Sequence, residues 1–479
     1  MSDAGLRSYV KEVVWARSDG RWVRAFSTVM NAMKSVRAGS TKCHARLEPG
    51  QPPAPCKDTV DEEMADVAKI GQGTDGLVFR VSLTQHGGLP AVLKVSLVTA
   101  GGQDGEWHAL DGEYYDGLHV NRLLRRVPNY ALTYSYNLYP VVDVPPSGQR
   151  PGHQRIGGRF DDAIAVRGGM LMQYIGGTAL TNYVGSVDRL DGVGAAAKQV
   201  AVASHLVQVL LALEVAQREM EFVHYDLHTD NVMLEPLPEP SWFVYHLDGR
   251  EYWLFTTHRA VIIDYGRMSR LREPREAAQR RRMGLRAERQ EISGYERFNV
   301  HDGVFNGVWD AVTLLRSTIG LNCAASRQSL LCSTYFLRLY RILDEEFQPA
   351  PRELNHYGVM RDASRSVHDD GRAALSSPLD LAEVMMDTDM WRENAGDESL
   401  VLPVYHWGYT TGGARGLADG RRTAAPHPAG RGRIRINLDD PVTEEERVYV
   451  ADKKAWDAHV SKLRLERPAS PQAKRQRKQ

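Results

Sequence analysis

The chain is poor in cysteine: four in 479 residues, at Cys43, Cys56, Cys323 and Cys332. None sits in a Cys-x-x-Cys pair, and so few in so long a chain build no disulfide framework, which points to a reducing compartment. Cys43-His44 followed by Cys56 lacks a second pair at finger spacing, so no structural zinc is expected. The formal net charge is zero, which removes any whole-chain electrostatic case for nucleic-acid binding. No uninterrupted apolar run reaches the roughly 18 residues of a membrane span. Met1 to Val10 lacks the apolar run of a secretory signal, and no internal repeat is visible. These absences predict a soluble, intracellular protein with no membrane contact.

Hydrophobic residues make up 42% and charged residues 25%, an ordinary globular balance. The length allows one large unit with flanking segments, or about three average domains. Charge is unevenly placed. Residues 267–289 are rich in arginine, and the last stretch carries Lys474, Arg475, Arg477 and Lys478. This tail reads first as a solvated end and second as a nuclear-import or nucleic-acid patch.

The chain divides by pattern. Residues 5–36 read as two short helices, and Pro-rich residues 48–57 as a linker. Strand-like runs follow at Val67–Ile70, Leu77–Leu83 and Ala91–Val98, with a turn at Gly87-Gly88, then a helix at about 108–126. Residues 190–218 form a long apolar helix. Residues 242–264 read as a hairpin, because Asp248-Gly249 lies between two aromatic runs. Beyond 303 the pattern is mostly helical, notably at 326–346 and 376–391. A Gly/Arg-rich loop is expected at 411–434 and a charged helix at 443–465.

Four motifs carry chemistry. Gly71-Gln-Gly73-Thr-Asp-Gly76-Leu-Val78 lies between strand-like runs, where bare glycine amides come close to phosphate oxygens. As a plain glycine-rich turn it has no function. Lys94 sits inside an apolar strand, a costly place for an ammonium unless phosphates and a carboxylate meet it. The candidate carboxylate is Glu113, with Glu106 as rival; the plain reading is an edge lysine reaching solvent. His224-Tyr-Asp226-Leu-His228-Thr-Asp-Asn231 joins two apolar segments. Its aspartate suits orientation of an attacking hydroxyl, and its asparagine supplies an oxygen ligand for magnesium. Finally, Ala260-Val-Ile-Ile-Asp264-Tyr-Gly266 ends a strand in a carboxylate, fit for a hard cation and otherwise a surface turn.

In this order the four motifs resemble the protein kinase superfamily over about residues 64–395. The resemblance implies an α+β, two-lobed fold with a small β-rich N-lobe and a mainly helical C-lobe. The domain would span 61–395 (N-lobe about 61–172, C-lobe about 176–395), between an N-terminal helical extension and linker (1–60) and a C-terminal extension with a basic tail (396–479). It implies that ATP and Mg²⁺ are the cofactors. Ile70, Gly71, Gly73, Gly76, Val78, Val92 and Lys94 would contact the nucleotide, with the hinge residues Gln173, Tyr174 and Ile175 offering backbone groups to adenine. Asp226, Lys94, Glu113 and Asn231 would be catalytic, and Asn231 and Asp264 would hold the metal. Asp310 resembles the buried aspartate that braces the catalytic loop.

The expected activity is transfer of the γ-phosphate of ATP to a serine or threonine of a protein. The alternatives are a small-molecule kinase of the aminoglycoside or choline kinase type, suggested by His-x-Asp-Leu-His, and a pseudokinase scaffold. The sequence departs from the common pattern at Tyr225, where regulated kinases carry arginine, and at His228, where the loop lysine stands. No Ala-Pro-Glu follows Gly266, and the segment from Asn231 to Asp264 is long. The hairpin that fills it, the divergent loops and Val127-Pro128-Asn129-Tyr130 after the helix are similar to kinase-like proteins of large double-stranded DNA viruses, which implies the cytoplasm or nucleus of a host cell, or a virion, as the location. Ser269 and Ser293 are possible phosphosites.

Overall fold

The computed structural model describes residues 64–72, 76–83, 88–96, 109–144, 153–156, 165–187, 195–220, 222–270, 308–325, 377–388, 402–409 and 418–422, with Trp391 and six positions between 335 and 343. The expected helices at 5–36 and 443–465, the linker, Cys43, Cys56, Gly73, Glu106, the arginine-rich stretch beyond Arg270, Ser293 and the basic tail lie outside the described residues.

The fold is α+β, and the described residues form two large sheets and a short two-stranded one. In the first, β1 (Met64–Gln72), β2 (Gly76–Leu83) and β3 (Leu89–Ser96) form a meander. Helix α1 (Ala109–Val120) follows, then β4 (Thr133–Val144), β5 (His153–Ile156) and β6 (Ala165–Gln173). The order is β1-β2-β3-β6-β4-β5, every pairing antiparallel. Leu93, Val95, Val81, Ala91 and Leu171 supply its buried face. Register places Val78 opposite Lys94, and Lys94 opposite Met170, on the other face. Strands alternate faces, so Val92 and Met172 share that second face.

The helix expected to run to 126 stops at Val120. The Asn121 side chain replaces the next helical turn: its amide donates to Thr133 O (2.7 Å) and its oxygen accepts from Thr133 N (2.9 Å). A 3-10 turn at Leu123–Arg125 then leads toward β4 of the first sheet.

The second body begins with β7 (Thr178–Ala179), α2 (Leu180–Val187) and α3 (Ala195–Met220). The stretch Ala197–Met220 is long and apolar enough to cross a membrane, which the reading by uninterrupted runs missed; 89% of its most apolar window is buried inside the protein, where it serves as the central core helix. Residues on every side of it are buried, among them Val202, Leu206, Val209, Leu210 and Leu213. After β8 (Phe222–Val223) come the long strands β9 (Val232–Leu247) and β10 (Arg250–Ile262), short β11 (Ser269–Arg270), α4 (Trp309–Ala325) and α5 (Pro378–Met386). Ser377 and Asp380 form a reciprocal cap on α5, with Pro378 at its start.

Beside these helices, the described residues of this body include a long hairpin. Strands β9 and β10 carry 16 and 13 residues. The hairpin starts ten residues before the expected 242, because Pro236, Pro238 and Pro240 mask the strand in sequence. The prolines are tolerated because the ladder is interrupted there: Ser241 faces Thr256, and the next pair is Pro236 with His258. At the tip, Asp248 and Gly249 take φ of 52° and 73°, the primed hairpin turn that matches strand twist.

The sheet also continues past residue 395. Strand β12 (Leu402–Gly408) lies parallel to β9, from Val404 opposite Trp242 to Gly408 opposite His246. Strand β13 (Ala418–Arg422), inside the expected Gly/Arg-rich loop, pairs with β12. Tyr405 and Trp407 join the main core, stacked on each other and edge-on to Phe243.

The two sheets are tied by residues 129–131. Ile262 N donates to Asn129 O (2.8 Å) and Ala131 N to Ile262 O (3.1 Å). Asn129 also donates to Ala260 O and accepts from Tyr245 Oη, while Tyr130 Oη donates to Ala212 O in α3.

Candidate active site

Strand β3 presents Lys94 on the face away from the first sheet's core. The ammonium donates to both Glu113 oxygens (3.1 and 2.8 Å) and to Asp264 Oδ1 (2.9 Å). Lys94 and Glu113 are buried. Burial opposes the lysine's charge, but Glu113 and Asp264 outweigh it and hold its pKa well above the usual range. Burial pushes the Asp264 carboxyl up, and Lys94 more than reverses this, leaving it below its ordinary value. Lys94 and Asp264 therefore stay ionised at neutral pH. Of the two candidate partners for Lys94, Glu113 is in contact with it, and Glu106 lies outside the described residues.

Asp264 adopts a left-handed backbone (φ 62°), uncommon for a residue with a side chain. Tyr265 fixes the turn: its hydroxyl reaches Ile262 O (2.9 Å) and Ala131 O (3.1 Å). Gly266 is needed next. A Cβ there would lie 3.2 Å from Asp264 Oδ1 and 3.4 Å from Glu113 Oε2, pressing on both carboxylates.

The 224–231 loop lies alongside. Asp310, buried at the start of α4, accepts from His224 N (2.6 Å) and Tyr225 N (2.9 Å). This bracing holds Tyr225 in a second left-handed position (φ 62°). Burial raises the Asp310 carboxyl to about 6; His224 and the two amides pull the other way, and Asp226 adds to the rise. His224 Nε2 meets Ile263 O (3.0 Å), and Ile263 N donates to Asn231 O (3.0 Å). The backbone just before Asp264 is thus bonded to both ends of the loop.

Within the loop, Asn231 Nδ2 donates to Asp226 O (2.8 Å). That directs Oδ1, the other end of the amide, away from this bond. His228 begins the 3-10 turn Thr229–Asn231, and its Nδ1 accepts from Asp230 N (3.3 Å). Thr229 accepts from Thr181 at 2.6 Å, tying the loop to α2. The Asp226 carboxylate is partly exposed and pairs with Arg267 (Oδ2 to Nε, 3.6 Å).

The remaining expected residues fall as follows. Gly71 and Val78 are paired across β1 and β2. Ile70 sits at the register shift between Lys69 and Gly71 and is 51% exposed, an apolar side chain left in solvent. Gly76 has a packing reason to be glycine: a Cβ would meet Val95 O at 2.7 Å. In the hinge segment, Gln173 N donates to Leu132 O, and Ile175 O accepts from Gly177 N. Ile175 is buried with Ala131 and Val261, so its side chain faces core. Tyr174 lies under Arg80, whose guanidinium carbon is 4.9 Å from the ring centroid.

The structure therefore brings Lys94, Glu113, Asp264, Asp226 and Asn231 to one place. Sequence reasoning missed Thr229 and the Arg267 contact with Asp226. Each acts through tertiary hydrogen bonds or a turn that no local pattern announces.

No family model matches this chain. It is 46% identical over 59 residues to "Probable kinase 098L" of Invertebrate iridescent virus 3, which covers 12% of this chain and 11% of that protein. It is 26% identical over 152 residues to "Uncharacterized protein 179R" of Invertebrate iridescent virus 6, covering 31% of this chain and 11% of that protein. The chain thus spans about a tenth of the length of these curated relatives.

Proposed function

We propose that this chain is a viral ATP- and Mg²⁺-dependent phosphotransferase with a two-lobed protein-kinase-like fold, acting on serine or threonine hydroxyls of a protein in the host cell. The observation that carries this reading is the three-way contact of Lys94 with Glu113 and Asp264, beside a loop bearing Asp226 and Asn231. The viral relative named a probable kinase supports it.

The donor set suits the proposed cofactors. Among the described residues no group of three or more His, Cys, Asp or Glu could hold a metal. One carboxylate (Asp264) and one amide oxygen (Asn231) instead suit Mg²⁺, which prefers oxygen and keeps ligands from water and phosphate. When bound, MgATP supplies the phosphoryl group and most of the charge neutralisation. Lys94, oriented by Glu113, would hold phosphate oxygens. Asp226 would orient the acceptor hydroxyl and take its proton. Val78 and Val92, on the cleft face of β2 and β3, would cover the base.

The test is ATP- and Mg²⁺-dependent labelling of generic protein substrates, with Asp226→Ala as control. Labelling by the wild type alone supports the reading. Transfer only to small alcohols such as choline or an aminoglycoside reassigns the acceptor. Equal background from both proteins, with ATP still bound, replaces the enzyme by a scaffold.

A further inference from the structure

His228 stands where a cation beside the transferring phosphate is expected, and the structure gives this histidine another task. Its Nδ1 accepts a hydrogen bond from Asp230 N and its Nε2 lies 3.2 Å from Asn231 Nδ2, so both ring nitrogens are engaged inside the loop. Lys94 is held on the other side by Glu113 and Asp264.

Arg267 fills that place from a different element. The left-handed turn at Asp264, the anchored Tyr265 ring and the Met268 N to Tyr265 O bond reverse the chain after Gly266. Strand β11 then pairs antiparallel with β8, Ser269 opposite Val223. In that direction, stepping back from Ser269 to Arg267 advances along the other chain toward Tyr225 and Asp226. The result is the Arg267 Nε to Asp226 Oδ2 contact of 3.6 Å. Both side chains keep solvent exposure, 43% and 28%. A pair so exposed contributes little to folding, so stability alone does not account for it.

We propose that Arg267 is the cation that faces the transferred phosphoryl group and replaces the missing loop lysine. This rests on the phosphotransferase reading above. In the step concerned, the acceptor oxygen forms its bond to the γ-phosphorus and its proton passes to the Asp226 carboxylate. The bond from the γ-phosphorus to the bridging oxygen breaks, and its electron pair stays on the leaving diphosphate. Negative charge spreads over the three outer oxygens of the transferred group, and the guanidinium beside Asp226 stabilises it there.

The experiment measures binding as well as turnover, by calorimetry with ADP and Mg²⁺, with and without aluminium fluoride as mimic of the transferring group. Wild type, Arg267→Ala and Arg267→Lys are compared. The expected result is equal affinity for ADP in all three, an aluminium fluoride complex weakened about 10- to 100-fold in Arg267→Ala, and partial recovery in Arg267→Lys. ATP turnover falls in parallel. An aluminium fluoride gain that survives unchanged in Arg267→Ala overturns the proposal, as does faster turnover in that variant, which would make Arg267 a plug on Asp226. A wild type that binds no nucleotide overturns the phosphotransferase reading itself, and this inference with it.

Discussion

Lys94 is the residue on which the site turns, because it bridges carboxylates from two distant parts of the chain. Replacing it by methionine keeps the stem and removes the charge facing Glu113. Transfer should fall by about 10²- to 10³-fold. Stability should also fall, by about 3 kcal/mol, because a buried carboxylate loses its cation. Urea denaturation of the double variant with Glu113→Gln checks this: stability should return while transfer does not. Retained transfer in Lys94→Met would remove the assigned role. Gly266→Ala tests the adjoining turn. It should reduce transfer about tenfold or more while leaving the fold cooperative, since small misplacements of reacting groups are expensive.

Asp310 makes a pH prediction. Its folded pKa of about 6 lies above the ordinary 3.8, so the folded state favours the protonated form. The associated stability is fully present below pH 3.8 and is lost as pH rises through 6. Between those limits the wild type should lose on the order of 3 kcal/mol relative to Asp310→Asn, which lacks the titration. Parallel stability–pH curves for the two proteins would contradict the buried, raised carboxyl.

At the scale of elements, the β9–β10 hairpin owes its register to two residues with positive φ at Asp248 and Gly249. Arg218 at the end of α3 grips Asp248 through both guanidinium nitrogens (2.6 and 2.8 Å) and fixes the tip against the core helix. Gly249→Val should destabilise by about 1–2 kcal/mol, the cost of a left-handed position for a side chain. Nucleotide binding in the folded fraction should be unaffected, because the tip lies at the far end of the hairpin from Asp264. Thermal melts and a nucleotide titration measure both. This hairpin was legible at its turn and its aromatic half, where Asp-Gly and Trp-Phe-Val-Tyr carry local signals. Its Pro-containing half was not, because the interruption that accommodates the prolines exists only once β10 is in place.

For the whole molecule, the ordered set of motifs was readable because each needs only a few neighbouring residues of defined chemistry. Glu113 needed one long-range guess, and the structure places it on Lys94. What sequence did not disclose is the long-range closure. Strand β12 joins β9 across about 160 residues, with nothing in either strand to name its partner. Truncation after residue 395 should therefore expose the Trp242–His246 edge and remove Tyr405 and Trp407 from the core. The expected product is aggregated or lacks cooperative unfolding, as read by size-exclusion chromatography and thermal circular dichroism. A soluble truncated protein with a sharp melt would place β12 outside the folding unit.

The parallel seat of β12 also bears on biosynthesis. A ribosome makes β9 and its aromatic side chains well before it makes the strand that covers them. During that interval the nascent chain presents an open β edge beside Phe243 and Tyr245, a template for pairing with a neighbouring copy. Elongation speed between residues 262 and 402, or a chaperone that shields the edge, would then govern how much of the newly made protein escapes into its soluble form.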